Sequence, residues 1–168
     1  MADIWVVSDT HFGHANIIGY CARPFGSVQE MDEALIAAWN AAVRPQDKIY
    51  HLGDVAMSQQ ALRRVMPRLN GHKRLVLGNH DDRAPMAEYA RFFEKITVWR
   101  LFKPLLLTHV PVAPTSFGKA MINVHGHTHD RPGPPGPYLC ACVEQTGYAP
   151  VPLESLTARA KELGLWQE

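Results

Sequence analysis

The chain has 168 residues, 46% of them hydrophobic, which is enough for one sizeable core and short for two, so a single domain over residues 1–168 is expected. Seventeen basic residues against sixteen acidic ones leave a formal charge of +1, which excludes a global field that would draw in nucleic acid or an anionic membrane. The sequence shows no basic leader before a long apolar stretch and no apolar run near the length of a membrane span, so a cytoplasmic protein with no membrane association is expected.

Strands and helices alternate along the chain. Ile4 to Ser8 is an apolar, β-branched run that ends in Asp9-Thr10-His11, so a strand there ejects a carboxylate and an imidazole at its C-terminal edge. Phe12 to Val28 has three glycines, a proline and little apolar periodicity, and reads as a functional loop carrying His14, Asn16 and Arg23. From Gln29 to Val43, Met31, Leu35, Ala38, Trp39 and Ala42 follow helical spacing, with Pro45 as the stop. Lys48 to Leu52 is the next strand and closes on Gly53-Asp54. Gln59 to Leu69 repeats the helical pattern until Asn70-Gly71. Leu75, Val76 and Leu77 form an unbroken apolar run, as a strand buried on both faces has, and stop at Gly78 before Asn79, His80, Asp81 and Asp82.

The second half predicts a short helix near Pro85 to Phe93 and strands over Lys95 to Phe102 and Leu105 to Thr108, the latter delivering His109. Met121 to Val124 is another strand and ends in His125-Gly126-His127-Thr128-His129. Pro132 to Pro137 is a stiff surface loop. Tyr138 to Glu144 returns to strand, and Leu153 to Leu163 is a terminal helix. The three cysteines, Cys21, Cys140 and Cys142, read as structural thiols.

The strand ends share one chemistry. Asp9, His11, Asp54, Asn79, His109, His127 and His129 are oxygen and nitrogen donors beside glycines or strand termini, and no cysteine joins them. Imidazole with carboxylate and amide suits divalent first-row ions, and the missing thiolates argue against a structural zinc site or an iron–sulfur cluster. Seven donors exceed one tetrahedral site and match two metals sharing a carboxylate. Any one piece alone also reads as a turn aspartate, a cap or a packed histidine. For Asp81 a capping role is the better reading, and for His125 a structural one. His51 and His72 are not read as ligands.

In order, Asp-x-His at Asp9, Gly-Asp at Asp54, Gly-Asn-His-Asp from Gly78, the isolated His109 and Gly-His-x-His ending at His129 resemble the five-part signature of the calcineurin-like metallophosphoesterases, in their small single-domain bacterial and phage form. That resemblance implies an α/β fold, a four-layer α-β-β-α sandwich of two mixed β-sheets flanked by helices. It also implies a role for each matching residue. Asp9, His11 and His129 hold one metal, Asp54 bridges, and Asn79, His109 and His127 hold the second. The ions are Mn, Fe, Zn, Ni or Mg, with Mn favoured. A hydroxide bridging them attacks phosphorus in line, and His80 serves the leaving group without binding metal.

One departure bears on the substrate. Many relatives carry a second aspartate three residues after the bridging one, which pairs with the catalytic histidine, whereas this chain reads Val55-Ala56-Met57 after Asp54. With His80 thus unpaired, and with no extensive basic clamp for a dianion, hydrolysis of phosphodiesters, nucleotide-like and cyclic ones included, is expected over monoesters. His14, Asn16 and above all Arg23 are candidate substrate contacts, since a guanidinium matches phosphate bidentately. A small phosphoester or nucleotide is the expected partner of a monomer or homodimer. The alternatives are a nuclease on DNA or RNA ends, disfavoured by the lack of a basic and aromatic stripe, and a scaffold that keeps the fold without catalysis, which has no need of all seven donors.

Overall fold

The computed structural model describes residues 2–166. Its chain forms β1 (Ile4–Val7), α1 (Ala15–Tyr20), α2 (Val28–Ala42), β2 (Lys48–His51), α3 (Gln59–Val65), β3 (His72–Val76), α4 (Met86–Tyr89), β4 (Lys95–Thr97), β5 (Arg100–Phe102), β6 (Leu105–Leu107), β7 (Ile122–His125), β8 (Tyr138–Cys140), β9 (Val151–Pro152) and α5 (Leu153–Glu162). The strands make two mixed sheets flanked by helices: one of five in the order β4-β3-β2-β1-β9, one of four in the order β5-β6-β7-β8. Only β9 and β5 run antiparallel to their neighbours.

The apolar runs divide between two cores because successive strand residues face opposite ways. Val7, Ile49 and Leu75 join Met31, Leu35 and Trp39 of α2 and Leu62 and Val65 of α3. Their neighbours Val6, Tyr50 and Val76 face the other sheet and meet Leu105, Leu107, Ile122 and Val124, together with Leu156 and Ala160 of α5. Parallel register aligns Val7 with His51 and His51 with Leu75, so the segments carrying Asp9, Asp54 and Asn79 leave the first sheet at one edge. Leu107 lies opposite Val124 in the second sheet, which brings out His109 beside the His127 segment. Carboxyl edges of parallel strands are where such sheets bind ligands.

Four expectations about elements are corrected. The loop from Phe12 to Val28 contains α1, whose adjacent Ile17 and Ile18 are too short a signal for a helical period. The segment Lys95 to Phe102 is two strands in different sheets, β4 pairing with β3 and β5 with β6. The Gln59–Leu69 helix ends in a 3-10 turn from Met66, since Pro67 donates no N–H. Tyr138 to Glu144 is strand only to Cys140 and then turns at Val143–Gln145.

Ser27 caps α2: its hydroxyl accepts from Glu30 N at 3.1 Å, and Glu30 reaches back to Gly26 N at 2.8 Å. Ser27→Ala is expected to lower unfolding free energy by about 1 kcal/mol, read as a shifted urea midpoint with an unchanged slope. Among the described residues no helix is long and apolar enough to cross a membrane.

Candidate metal centre

Five of the seven donors, Asp9, His11, Asp54, His127 and His129, have φ between 51° and 67°. This left-handed region is unfavourable for side chains with a Cβ, and such residues gather at functional sites when their surroundings hold them there. Here backbone bonds tie the strand ends together: Asp9 N donates to Gly53 O at 3.1 Å, His11 N to Asp54 O at 3.0 Å and Phe12 N to Val55 O at 2.9 Å. The motif glycines allow the closest approaches. A Cβ on Gly126 would collide with Ser8 Oγ and Asp9 Oδ2, and one on Gly78 with the carboxylate and N of Asp54.

Asp9 is fully buried, and its two oxygens differ. Oδ2 accepts from Ser8 Oγ, from His127 N at 2.9 Å and from the Cys142 thiol at 3.3 Å. Oδ1 has no hydrogen-bond partner and faces the Nε2 atoms of His11 at 3.8 Å and His129 at 3.7 Å. The buried His11 Nε2 is likewise unpartnered. Burial first, then the neighbouring His129, holds His11 far below the ordinary imidazole range, so its lone pair is free to bind a cation. A buried carboxylate oxygen that faces two ring nitrogens and hydrogen-bonds to neither is placed as a donor for a cation.

Asp54 stands between two clusters. Its Oδ2 faces His11 Nε2 at 3.5 Å and its Oδ1 faces His109 Nε2 at 3.6 Å, while Oδ1 also accepts from His80 N at 2.8 Å. Burial is the largest influence on its carboxyl and pushes the pKa upward, a cost that a nearby cation offsets. His109 Nδ1 lies 2.7 Å from Leu52 O, which can only accept, so the ring proton sits on Nδ1. His109 Nε2 lies 2.9 Å from Asn79 Oδ1 and 3.6 Å from Asp54 Oδ1, so the three donor atoms converge. His127 stands beside His109, ring centroids 5.2 Å apart. Asp9, His11 and His129 thus form one group, and Asp9, Asp54 and His109 an overlapping one, with donor atoms in each within 4.8 Å of one another.

These observations have a counterpart in comparisons with known proteins. The profile of the calcineurin-like phosphoesterase superfamily domain matches residues 2–133. The chain belongs to that family. An uncharacterized protein of Methanocaldococcus jannaschii is 39% identical over 134 residues, covering 77% of this chain and 70% of its own. The gene 66 protein of Mycobacterium phage L5 is 30% identical over 164 residues, covering 77% and 78%. Among solved structures, a protein of unknown function from Aquifex aeolicus has a TM-score of 0.76 at 24% identity, covering 95% of this chain and 100% of its own. The nuclease MPE of Pseudomonas putida has a TM-score of 0.54 at 22% identity, covering 75% and 61%. Both structures share the fold.

Beside the family's donor set the structure corrects one substrate contact and disperses another. Arg23 is buried, and its guanidinium is held by Glu144 Oε1 (2.7 and 3.0 Å), Asp9 O (2.7 Å) and Thr10 O (2.9 Å). It fastens the Asp9 loop and cannot clamp a phosphate. Asn16 lies exposed on α1 and outside the recess formed by His11, His14, Tyr20, Met57, His80 and His129 with Asp130 and Arg131. His14 does line that recess, its ring 5.4 Å from His11.

Two residues of this site carry no sequence signal. Glu144 Oε1 lies 3.0 Å from His129 Nδ1, and a carboxylate behind a ligand histidine fixes which nitrogen faces the metal. Burial pushes the Glu144 carboxyl up, but the His129 hydrogen bond and the Arg23 charge outweigh it and hold the group below its usual range. The partner of His80 is Arg83, whose Nη2 lies 3.4 Å from His80 Nδ1. Neither following aspartate takes that place. Asp81 turns inward and accepts from the N–H groups of Asp54, Val55 and Gly78 at 3.1, 3.0 and 2.8 Å, clasping two strand ends rather than capping α4. Asp82 pairs with Arg83 at 3.6 Å. His51 and His125 are buried packing groups, with burial pushing His51 down to about 3.

Proposed function

We propose that this protein hydrolyses phosphodiesters, nucleotide-like and cyclic ones among them, with two divalent ions, manganese favoured. Asp9, His11 and His129 would hold one ion and Asn79, His109 and His127 the other, with Asp54 shared. The observation that carries this reading is Asp54, whose two oxygens face separate histidine clusters across a buried site with unpaired acceptors. When bound, such ions supply Lewis-acid charge for the phosphoryl oxygens and lower the pKa of water.

The chain's own residues do the rest. Glu144 orients His129 through Nδ1, and Leu52 O orients His109. Arg83 donates toward His80 Nδ1, which leaves the proton on Nε2, the atom that can protonate a departing oxygen. The Arg23 guanidinium is occupied elsewhere and does not clamp a monoester dianion, which leaves Arg131 in the recess and Arg83 beside His80 as the cations near the phosphoryl group.

With manganese, methyl p-nitrophenyl phosphate is expected to turn over at least about tenfold faster than p-nitrophenyl phosphate by kcat/KM. The reverse order overturns the diester preference, and no turnover of either favours a scaffold. Cleavage confined to oligonucleotides favours a nuclease, the activity named for the Pseudomonas putida neighbour. His80→Ala is expected to cost about a hundredfold in kcat with a poor leaving alcohol and less than about fivefold with p-nitrophenol, which needs no proton. Equal losses on both would remove the acid role.

A further inference from the structure

The site opens on two unlike spaces. His80 lies in the histidine-rich recess with His11, His14, His129, Asp130 and Arg131. On the other side, Gly78, Asn79 and His109 form one wall of a cleft of about 740 Å³ whose remaining lining is chiefly apolar, with Val98, Trp99, Leu101, Leu106, Val112 and Phe117, and whose polar members besides Thr108 are the exposed Ser116 and Lys119. Leu106 and Phe117 belong to a small cluster with Ala120 on this face of the second sheet, and Leu101 and Val112 pack against it. Trp99 is 56% exposed and Val98 67%. The Thr108 hydroxyl in the same lining donates to Val110 O at 2.6 Å and is not free to recognise a polar group.

We infer that this cleft receives an uncharged, apolar ester arm of the substrate, and that this arm stays on the phosphoryl product. The inference rests on the phosphodiesterase reading above and adds direction to it. Phosphorus bound at the centre touches both spaces, since Asn79 and His109 border the cleft while His80 borders the recess. The arm that leaves must be the one near His80, because its oxygen takes the proton as water's oxygen bonds to phosphorus and the old P–O bond breaks. The arm on the Asn79 and His109 side is therefore retained, and the product is a phosphomonoester bearing an apolar alkyl or aryl group. Continuity with the donor residues distinguishes this cleft from a face that merely awaits another protein. Its volume is that of a small-molecule site, and an apolar lining with few polar groups is what such sites have.

The test varies only the retained arm: methyl, n-butyl and cyclohexyl p-nitrophenyl phosphates share one leaving group, and alkyl arms differ little in intrinsic reactivity. The manganese-loaded protein is expected to show kcat/KM rising at least about tenfold from methyl to cyclohexyl, chiefly through KM, because burying a few methylenes is worth that much. In Trp99→Ala the rise should shrink below about threefold, and Trp99→Phe should restore most of it. Calorimetry should find cyclohexyl phosphate bound at least about tenfold more tightly than methyl phosphate. A flat series in the wild type, or an undiminished rise in Trp99→Ala, overturns the inference while leaving the phosphodiesterase reading intact. No turnover of any member overturns both.

Discussion

Asp54→Asn is expected to reduce phosphodiester turnover at least about a thousandfold while leaving the metal-free protein as stable as the wild type, or more so. The two effects have one origin. The amide keeps an oxygen for His80 N, which now donates to Asp54 Oδ1 at 2.8 Å. Its NH2 takes the position of Oδ2, 3.5 Å from the unpartnered Nε2 of His11. A donor there satisfies the ring nitrogen and fills the space a cation needs, so the shared ligand of a two-metal site is lost. Burial already pushes the Asp54 carboxyl upward. Its folded pKa therefore lies above the unfolded value, and ionised Asp54 weakens the metal-free fold as pH rises through that interval, a loss the amide does not suffer. Thermal melts in chelator and kinetics in manganese check the pair. Retained activity removes Asp54 from the shared position, and a lower melting temperature removes the electrostatic explanation.

Glu144→Ala is expected to cost about 3–5 kcal/mol of stability, because it strands the guanidinium of Arg23, buried with it, without its counter-charge. It should also weaken metal binding about 10- to 100-fold, since His129 loses the acceptor that sets its Nδ1 proton. The double variant Arg23→Met, Glu144→Leu separates these effects. With no charge left unpaired, stability should return to within about 1–2 kcal/mol of the wild type, while metal affinity stays low. Urea denaturation and manganese titration of the three proteins read both quantities. If metal affinity returns together with stability, Glu144 acts only through the fold.

Those two residues mark where the sequence stops being readable. Asp9, His11, Asp54 and Asn79 stand just past apolar runs that are strands, and a strand followed by glycine and a donor can be recognised by eye. The parallel alignment of Val7, His51 and Leu75, which brings those ends together, is a tertiary fact that alternating strands and helices only suggest. Glu144 lies past a strand that ends earlier than its β-forming composition implies, in a 3-10 turn with no donor motif, so nothing local points to His129. Arg23 departs from its expected role for a related reason. A guanidinium in a loop beside a phosphate motif suits substrate, but the loop folds back under the Asp9 turn, and the carbonyls of Asp9 and Thr10 take its protons. His80 is a third case: carboxylates commonly orient catalytic histidines, whereas the charge adjoining this one is Arg83. The apolar space beside the centre draws on Trp99, Leu106 and Phe117, which are separated in sequence and gathered by the second sheet.

The measurement that bears most directly on the centre is metal stoichiometry. Protein stripped with chelator, reloaded with manganese, desalted and analysed by mass spectrometry for metal per chain is expected to hold two ions, and at most one in Asp54→Asn. A wild-type content of one ion or none, under conditions where the protein is folded, would contradict the assignment of Asp54 as a ligand shared by two metals.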